Sequence, residues 1–513
     1  MRQYEMFELS FRGQEPAGSQ AVTDVEAVFR HGEEEVAVKG FYCGEGVYKV
    51  RYYPCKPGPY NWKVSSSVSL EGELTGNTVC EPAAAGRHGM VRAKGLHFEH
   101  EDKKFFYPFG TTIYALVHQE ESLMDQTMES LKQSPFNKVR LCVFPKSYDY
   151  NMNEPDCFPF EKTGDKWDVH RPCFRYWEKL EQRLCQLDEL DMEADLILFH
   201  GYDRWGFSEL SEEEALTYLD YLLRRLAAFP NMWWSLANEY EVVEHFKREW
   251  WYDFAEFIGK NDPYKHLLSN HNFMQFWDFA NKNVTHCSIQ DNNVIRVPEL
   301  QKEYGKPVIF DECCYEGNII HPWGNISGFE LTHRFWTAVV MGGYCTHGET
   351  FLDDSEVLWW SKGGTLHGES PRRIGFLRSI IEELPGPLDY VPSAPELAYE
   401  GGGIELPENP EYARTMNLVT GLLKQASEVR RQGHFDKERI VLGCCGDKVY
   451  LRYYGRQCAI QGELELPVTG SYDIEVIDIW EMTRTPLLQG VHGTVKLSLP
   501  GKEGIAVLAK KKA

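Results

Sequence analysis

The chain has 513 residues, 42% of them hydrophobic and 26% charged, and a formal net charge of −23. That length exceeds a single core, so two to four domains are expected. The acidic field disfavours nucleic acid, against which only the short Lys510-Lys511-Lys512 cluster is set.

The opening stretch MRQYEMFELSF lacks the apolar core of a signal peptide. No window approaches the roughly 18 apolar residues of a membrane span. The 14 cysteines show neither C-x-x-C pairs nor a regular framework, which favours free thiols in a reducing cytoplasm. Aromatic residues reach 13%. Sugar faces stack on such rings, but β-rich cores are also aromatic, so both readings stand.

Residues 1 to about 86 read as strands. VEAVFR, EEVAVKGFYC, GVYKVRYYP and YNWKVSS alternate or are β-branched and aromatic, with Gly and Pro between them. A small N-terminal β-sandwich over 1–86 is expected. From about residue 104 the rhythm becomes strand then helix. Candidate strands are FFYPFGTT, NKVRLCVF, ADLILFHGY, MWWSLANE, HLLSNH, THCSIQ, PVIFDE and GGYCTHGET, with amphipathic runs such as RYWEKLEQRLCQLDEL between several of them. Eight such strands predict an α/β fold, a (β/α)₈ TIM barrel over 87–395. From about residue 396, RIVLGCC, KVYLRYY, SYDIEVIDIW and TVKLSLP predict a C-terminal β-sandwich over 396–513.

A barrel keeps its chemistry at the carboxyl ends of its strands. NMWWSLANEYE passes from apolar to acidic at Asn238-Glu239 with no turn residue between, and PVIFDE ends on Glu312. Two carboxyls facing each other across a barrel mouth suit glycoside hydrolysis. One delivers a proton to the leaving oxygen and the other attacks the anomeric carbon, about 5 Å apart with retention of configuration and about 6.5–9.5 Å with inversion. Glu239 is then the acid/base and Glu312 the nucleophile, with Asn238 on a sugar hydroxyl and Arg140 holding Glu312. The plainer reading of each is a solvated or ion-paired strand end, and of His200 a hydrogen-bonded core histidine. Alternation further implies that Asp311 and Glu312 cannot both point inward. Cys313 and Cys314 read as packing residues, Glu241 as solvent-facing, and no metal or cofactor site is expected.

WWSLANEYE followed by KPVIFDECCYEG resembles the retaining glycoside hydrolases of clan A, the cellulase-like barrels. NKVRLCVF and DLILFHGY are similar to the segments that carry the supporting Arg and His of that group, here Arg140 and His200. YKVRYYPCKPGPYNWKV and GSYDIEVIDIWEMTRTPL resemble the small sandwiches found before and behind endoglucanase-type barrels. The strand-six position bears Gln290 where relatives commonly have His or Tyr. The strand-eight Trp has no match within GGYCTHGET, and Trp359 or Trp360 in the next loop replaces it. With His347 and Glu349 at the eighth strand, these residues make up the expected sugar-binding set.

The resemblance implies a retaining β-glycosidase; the missing export signal and the long loop 146–172, which could close one end of a cleft, add the expectation of an intracellular enzyme acting on short oligosaccharides or glycosides. An endo-acting β-glucanase and a catalytically silent carbohydrate-binding barrel are the competing readings. The expected partner is a carbohydrate substrate, with neither nucleic acid nor membrane, and homo-oligomerisation is left open.

Overall fold

In the strand Val25–His31, Val25, Ala27 and Phe29 are buried while Glu26 and Arg30 are exposed. That period of two is what one buried sheet face requires. The computed structural model describes residues 1–355, 357–392, 410–425 and 440–512. In it this strand lies in an antiparallel sheet ordered Glu34–Lys39, Val25–His31, Gly58–Ser66, Thr75–Cys80. A second sheet is ordered Phe41–Tyr42, Val47–Tyr52, Phe7–Gly13, Leu70–Glu71. One core, including Phe29, Tyr48, Val50, Tyr60 and Val64, is shared by the two sheets. Buried Arg51 anchors this sandwich through Glu181, which also binds Arg225.

The barrel strands are β1 (Gly110–Thr112), β2 (Lys138–Cys142), β3 (Glu193–His200), β4 (Met232–Asn238), β5 (Leu267–Ser269), β6 (Cys287–Gln290), β7 (Val308–Glu312) and β8 (Tyr344–His347). They form one sheet ordered β5-β4-β3-β2-β1-β8-β7-β6. A parallel bridge between His271 and Ser288 brings its two edges together. The result is the nearly closed parallel eight-stranded barrel that the alternating pattern predicts, a TIM barrel with β-sandwich sheets before and after it in the chain. Helices α1 (Glu121–Gln133), α2 (Phe174–Glu189), α3 (Glu212–Leu226) and α4 (Arg248–Asn261) follow β1 to β4 in turn. Helix α3 starts with a capping box in which Ser211 and Glu214 satisfy each other's backbone N–H. Phe105–Phe106, read from sequence as the start of β1, belongs instead to a separate three-stranded sheet with Val91–Lys94 and His97–His100.

The barrel interior is polar at its centre. Lys138 Nζ donates to Asp195 Oδ2 and Asp311 Oδ1, each at 2.7 Å. Ser288 and Thr346 donate to Asp311 at 2.6 and 2.7 Å. Burial alone would push the Asp311 carboxyl up, but Lys138 and Arg140 overrule it and hold it well below the carboxylate range.

The described residues form two compact units. The first comprises Met1–Gln290, Tyr304–Ile326 and Thr346–Gly368, and the second comprises Asp291–Glu303, Ser327–Cys345 and the described residues from Glu369 on. In the second unit a six-stranded antiparallel sheet runs in the order Asp389–Tyr390, Val441–Cys445, Val449–Tyr453, Ile505–Lys511, Tyr472–Asp478, Thr483–Val491. Its core shares residues with the antiparallel pair Gln461–Leu466 and Gly493–Ser498. The expected boundary at 395/396 lies outside the described residues, as does the first residue of RIVLGCC. Among the described residues no helix is long and apolar enough to cross a membrane.

Candidate active site

Strand β4 is buried throughout, and Glu239 follows its last residue. Glu239 adopts a left-handed backbone (φ 54°, ψ 66°), a region that costs a non-glycine residue on the order of 1–3 kcal/mol and is met chiefly at functional positions. The turn is held by His271, whose Nδ1 accepts from the Glu239 N–H at 3.3 Å and whose carbonyl accepts from the Tyr240 N–H at 2.9 Å. Tyr240 packs against Trp277 and is buried, so it serves the loop. Glu241 is not the solvent-facing residue expected. Its carboxylate accepts from the backbone N–H groups of Phe273, Met274 and Gln275 at 2.6, 2.9 and 2.6 Å and so fixes the loop after β5.

Glu312 ends β7, where the ladder to β6 slips: Ile289 pairs with Phe310, but Gln290 pairs with Glu312. Asp311 is thus the extra residue of a β-bulge. A bulge breaks strict alternation, and Asp311 and Glu312 both turn inward to Arg140. The Arg140 Nη1 lies 3.6 Å from Glu312 Oε1, and its Nε lies 3.9 Å from Asp311 Oδ1 and 3.7 Å from Asp195 Oδ2. This corrects the expectation that only one of the two acids faces the interior.

Tyrosine hydroxyls join the two halves of the site. The Tyr114 hydroxyl donates to Glu312 and lies 2.8 Å from Asn238 Oδ1. The Tyr202 hydroxyl donates to Glu239 Oε2. Burial first, and then the charge of Glu312, push the Glu239 carboxyl up to about 7; Lys146, Tyr202 and the Gln290 side chain oppose that rise. A carboxyl so placed is protonated below neutrality and can deliver its proton.

Of the residues expected at the site, Asn238, Glu239, Arg140, Gln290 and Glu312 converge. Trp360 joins them through Tyr114 and Tyr315, with ring centroids 5.6 Å from each. His200 is buried, with Nε2 3.1 Å from the Phe144 carbonyl, and burial followed by Lys146 pushes it down to about 4. That is the core-histidine geometry.

His347 and Trp359 are not brought to the site. Lys138 and Arg140 face the interior, and they pair with Gly110 and Thr112; the intervening Thr111 therefore faces outward, as does its ladder partner His347. Trp359 Nε1 donates to the Thr111 hydroxyl at 2.8 Å, and the His347 ring stacks on Phe136 at 4.6 Å. Glu349 is buried beside Glu316, accepting from the His367 and Gly368 N–H groups, and burial pushes it up to about 8.

Tyr114, Tyr202 and Lys146 belong to the site without being in the expected set. Tyr114, Lys146 and Tyr202 lie beyond the last residues of β1, β2 and β3.

A family model described as an apiosidase-like catalytic domain matches residues 92–385. Two domains of unknown function match the flanks, DUF5060 over 1–67 and DUF5605 over 439–510. A solved structure of a candidate glycoside hydrolase from Bacteroides vulgatus ATCC 8482 is 32% identical, covers 100% of this chain and 99% of its own, and superposes with a TM-score of 0.85. A family 5 glycoside hydrolase from the same organism is 14% identical with a TM-score of 0.61, covering 83% of this chain and 93% of its own, and shares the fold. No curated protein matches the chain.

Proposed function

The chain belongs to the apiosidase-like family of glycoside hydrolases, and on that premise we propose that it is a retaining β-glycosidase with Glu239 as acid/base and Glu312 as nucleophile. One observation carries this reading: two carboxyls at the ends of β4 and β7 stand in one site held by tyrosine hydroxyls, and burial with the charge of Glu312 pushes Glu239 towards neutrality. In the first step Glu239 protonates the leaving oxygen while Glu312 attacks the anomeric carbon. Arg140 offsets the charge of Glu312, and Tyr114, whose hydroxyl also meets Asn238, fixes its position. In the second step Glu239, now a carboxylate, takes a proton from water, which displaces the sugar from Glu312.

The substrates proposed are short oligosaccharides or glycosides. The loop after β2 supports this by folding as a hairpin, Phe160–Thr163 with Lys166–Pro172, that can close one end of a cleft. The spacing of the cysteines, with neither C-x-x-C pairs nor a regular framework, supports an intracellular location.

The test is a panel of 4-nitrophenyl glycosides that includes an apioside, since the family description names that sugar. It is followed by trapping with the 2-deoxy-2-fluoro counterpart of the best substrate. A covalent adduct on Glu312 and retention at the anomeric carbon by proton NMR are expected. Inversion, or stable labelling at another residue, refutes the mechanism.

A further inference from the structure

Two lysines are buried in the barrel, and they are treated differently. Lys138 is 0% exposed, and its ammonium is spent on two carboxylates. Lys146 is 2% exposed; its ammonium lies against aromatic faces and feels the charges of Glu239 and Glu312. Its Nζ lies 3.5 Å from the Tyr114 ring centroid, 4.3 Å from that of Tyr202, 5.0 Å from that of Tyr148 and 5.8 Å from that of Trp360. An ammonium has three donors and no acceptor. π faces stabilise its charge without using those donors as oxygen atoms would. Burying such a group is costly unless something meets it.

The backbone around it is fixed in advance. The Ser147 N–H donates to the Tyr202 carbonyl at 2.9 Å, and Asn151 Nδ2 donates to the Lys146 carbonyl at 2.6 Å. The two rings that brace the ammonium are the two whose hydroxyls hold Glu312 and Glu239. The charges also balance: Lys138, Arg140 and Lys146 stand against Asp195, Asp311 and Glu312, with Glu239 supplying the proton. A substrate bearing its own carboxylate would upset that balance, and a neutral sugar would not.

We propose that Lys146 is a substrate-binding residue whose ammonium, braced by Tyr114 and Tyr202, donates hydrogen bonds to hydroxyl oxygens of a neutral sugar held between Glu239 and Glu312. The assignment rests on the glycosidase reading and deepens it.

Lys146→Met keeps the length of the stem and removes the donors. With the 4-nitrophenyl glycoside turned over fastest in the panel, kcat/KM is expected to fall roughly 10- to 100-fold, the worth of hydrogen bonds from a charged group. The melting temperature should hold or rise, because an ammonium without an acceptor has been replaced by an apolar group. A kcat/KM within threefold of wild type, or a melting temperature that falls along with activity, overturns the assignment.

A second measurement uses the unmutated enzyme. Reductive methylation with formaldehyde and cyanoborohydride, read by peptide mass spectrometry, should modify Lys146 in the free enzyme and spare it in the 2-fluoroglycosyl enzyme. Equal modification in both, or none in either, overturns it. Glu312→Gln separates the two levels of argument. If that variant stays active, the glycosidase mechanism fails; if it is inactive while Lys146→Met behaves as wild type, only the role of Lys146 falls.

Discussion

Tyr202→Phe removes one oxygen and with it the hydroxyl that donates to Glu239. That bond favours the charged carboxylate, so its loss should raise the Glu239 pKa above its value of about 7. A hydrogen bond to a charged group contributes about 1.5–3 kcal/mol, and one pKa unit corresponds to about 1.4 kcal/mol. Tyr202 is only partly buried, and the Gln290 side chain and Lys146 still oppose the rise, so the lower end applies: about one unit. The alkaline limb of kcat/KM reports the acid form of Glu239 in the free enzyme. It should move from near neutrality to about one unit higher. The base step needs the ionised form. With an activated aryl leaving group, for which water attack limits turnover, kcat should therefore fall at neutral pH even as the limb moves up. The assay is a pH series of initial rates on the fastest nitrophenyl glycoside, wild type against variant. An alkaline limb that stays in place or moves to lower pH refutes the coupling between Tyr202 and Glu239.

Glu193 is buried under the Trp233 indole N–H at 2.7 Å, and burial pushes its carboxyl up to about 8. The folded chain therefore keeps a proton that the unfolded chain loses near 4.5, so its contribution to stability is intact at low pH and lost as pH rises through about 8. Glu193→Gln should be close to wild type at pH 5 and on the order of 4 kcal/mol more stable at pH 9 by denaturant unfolding; equal stability at pH 9 contradicts this. Lys138→Met strips Asp195 and Asp311 of their shared cation and should cost about 3–5 kcal/mol in the same assay. Glu239→Gly releases a left-handed backbone and a buried carboxyl at once. The variant should melt higher than wild type while losing turnover, and a lower melting temperature argues against strain at this position.

The eight-strand rhythm was legible because each strand is short and largely apolar, with amphipathic runs between several of them, and because barrel chemistry collects at strand ends. Asn238 and Glu239 could therefore be found from the abrupt end of an apolar run, and Glu312 in the same way. Tyr114, Lys146 and Tyr202 were not found, since they stand two to four residues past the ends of their strands. Loop geometry, which has no period, decides where such side chains go. His347 shows the opposite error. It sits at a strand end and is polar, but the register with Thr111 sends it outward, and register is a property of the sheet that one strand's sequence does not carry.

The acid pair at β7 exposes a further limit of pattern reading. Alternation allows one inward residue of Asp311 and Glu312, and the site uses both: Asp311 as the fixed anion under Lys138, Ser288 and Thr346, and Glu312 one step outward where a substrate can reach it. A single bulged residue lets one arginine touch both, so the cation that offsets the nucleophile is itself held by a carboxylate that Lys138 and Arg140 keep well below the usual range. At β4 the same end is reached by a left-handed residue. Both carboxyls therefore stand where the backbone departs from regular strand, because a regular strand end aims alternate side chains inward and this chemistry needs groups aimed across the mouth at one another.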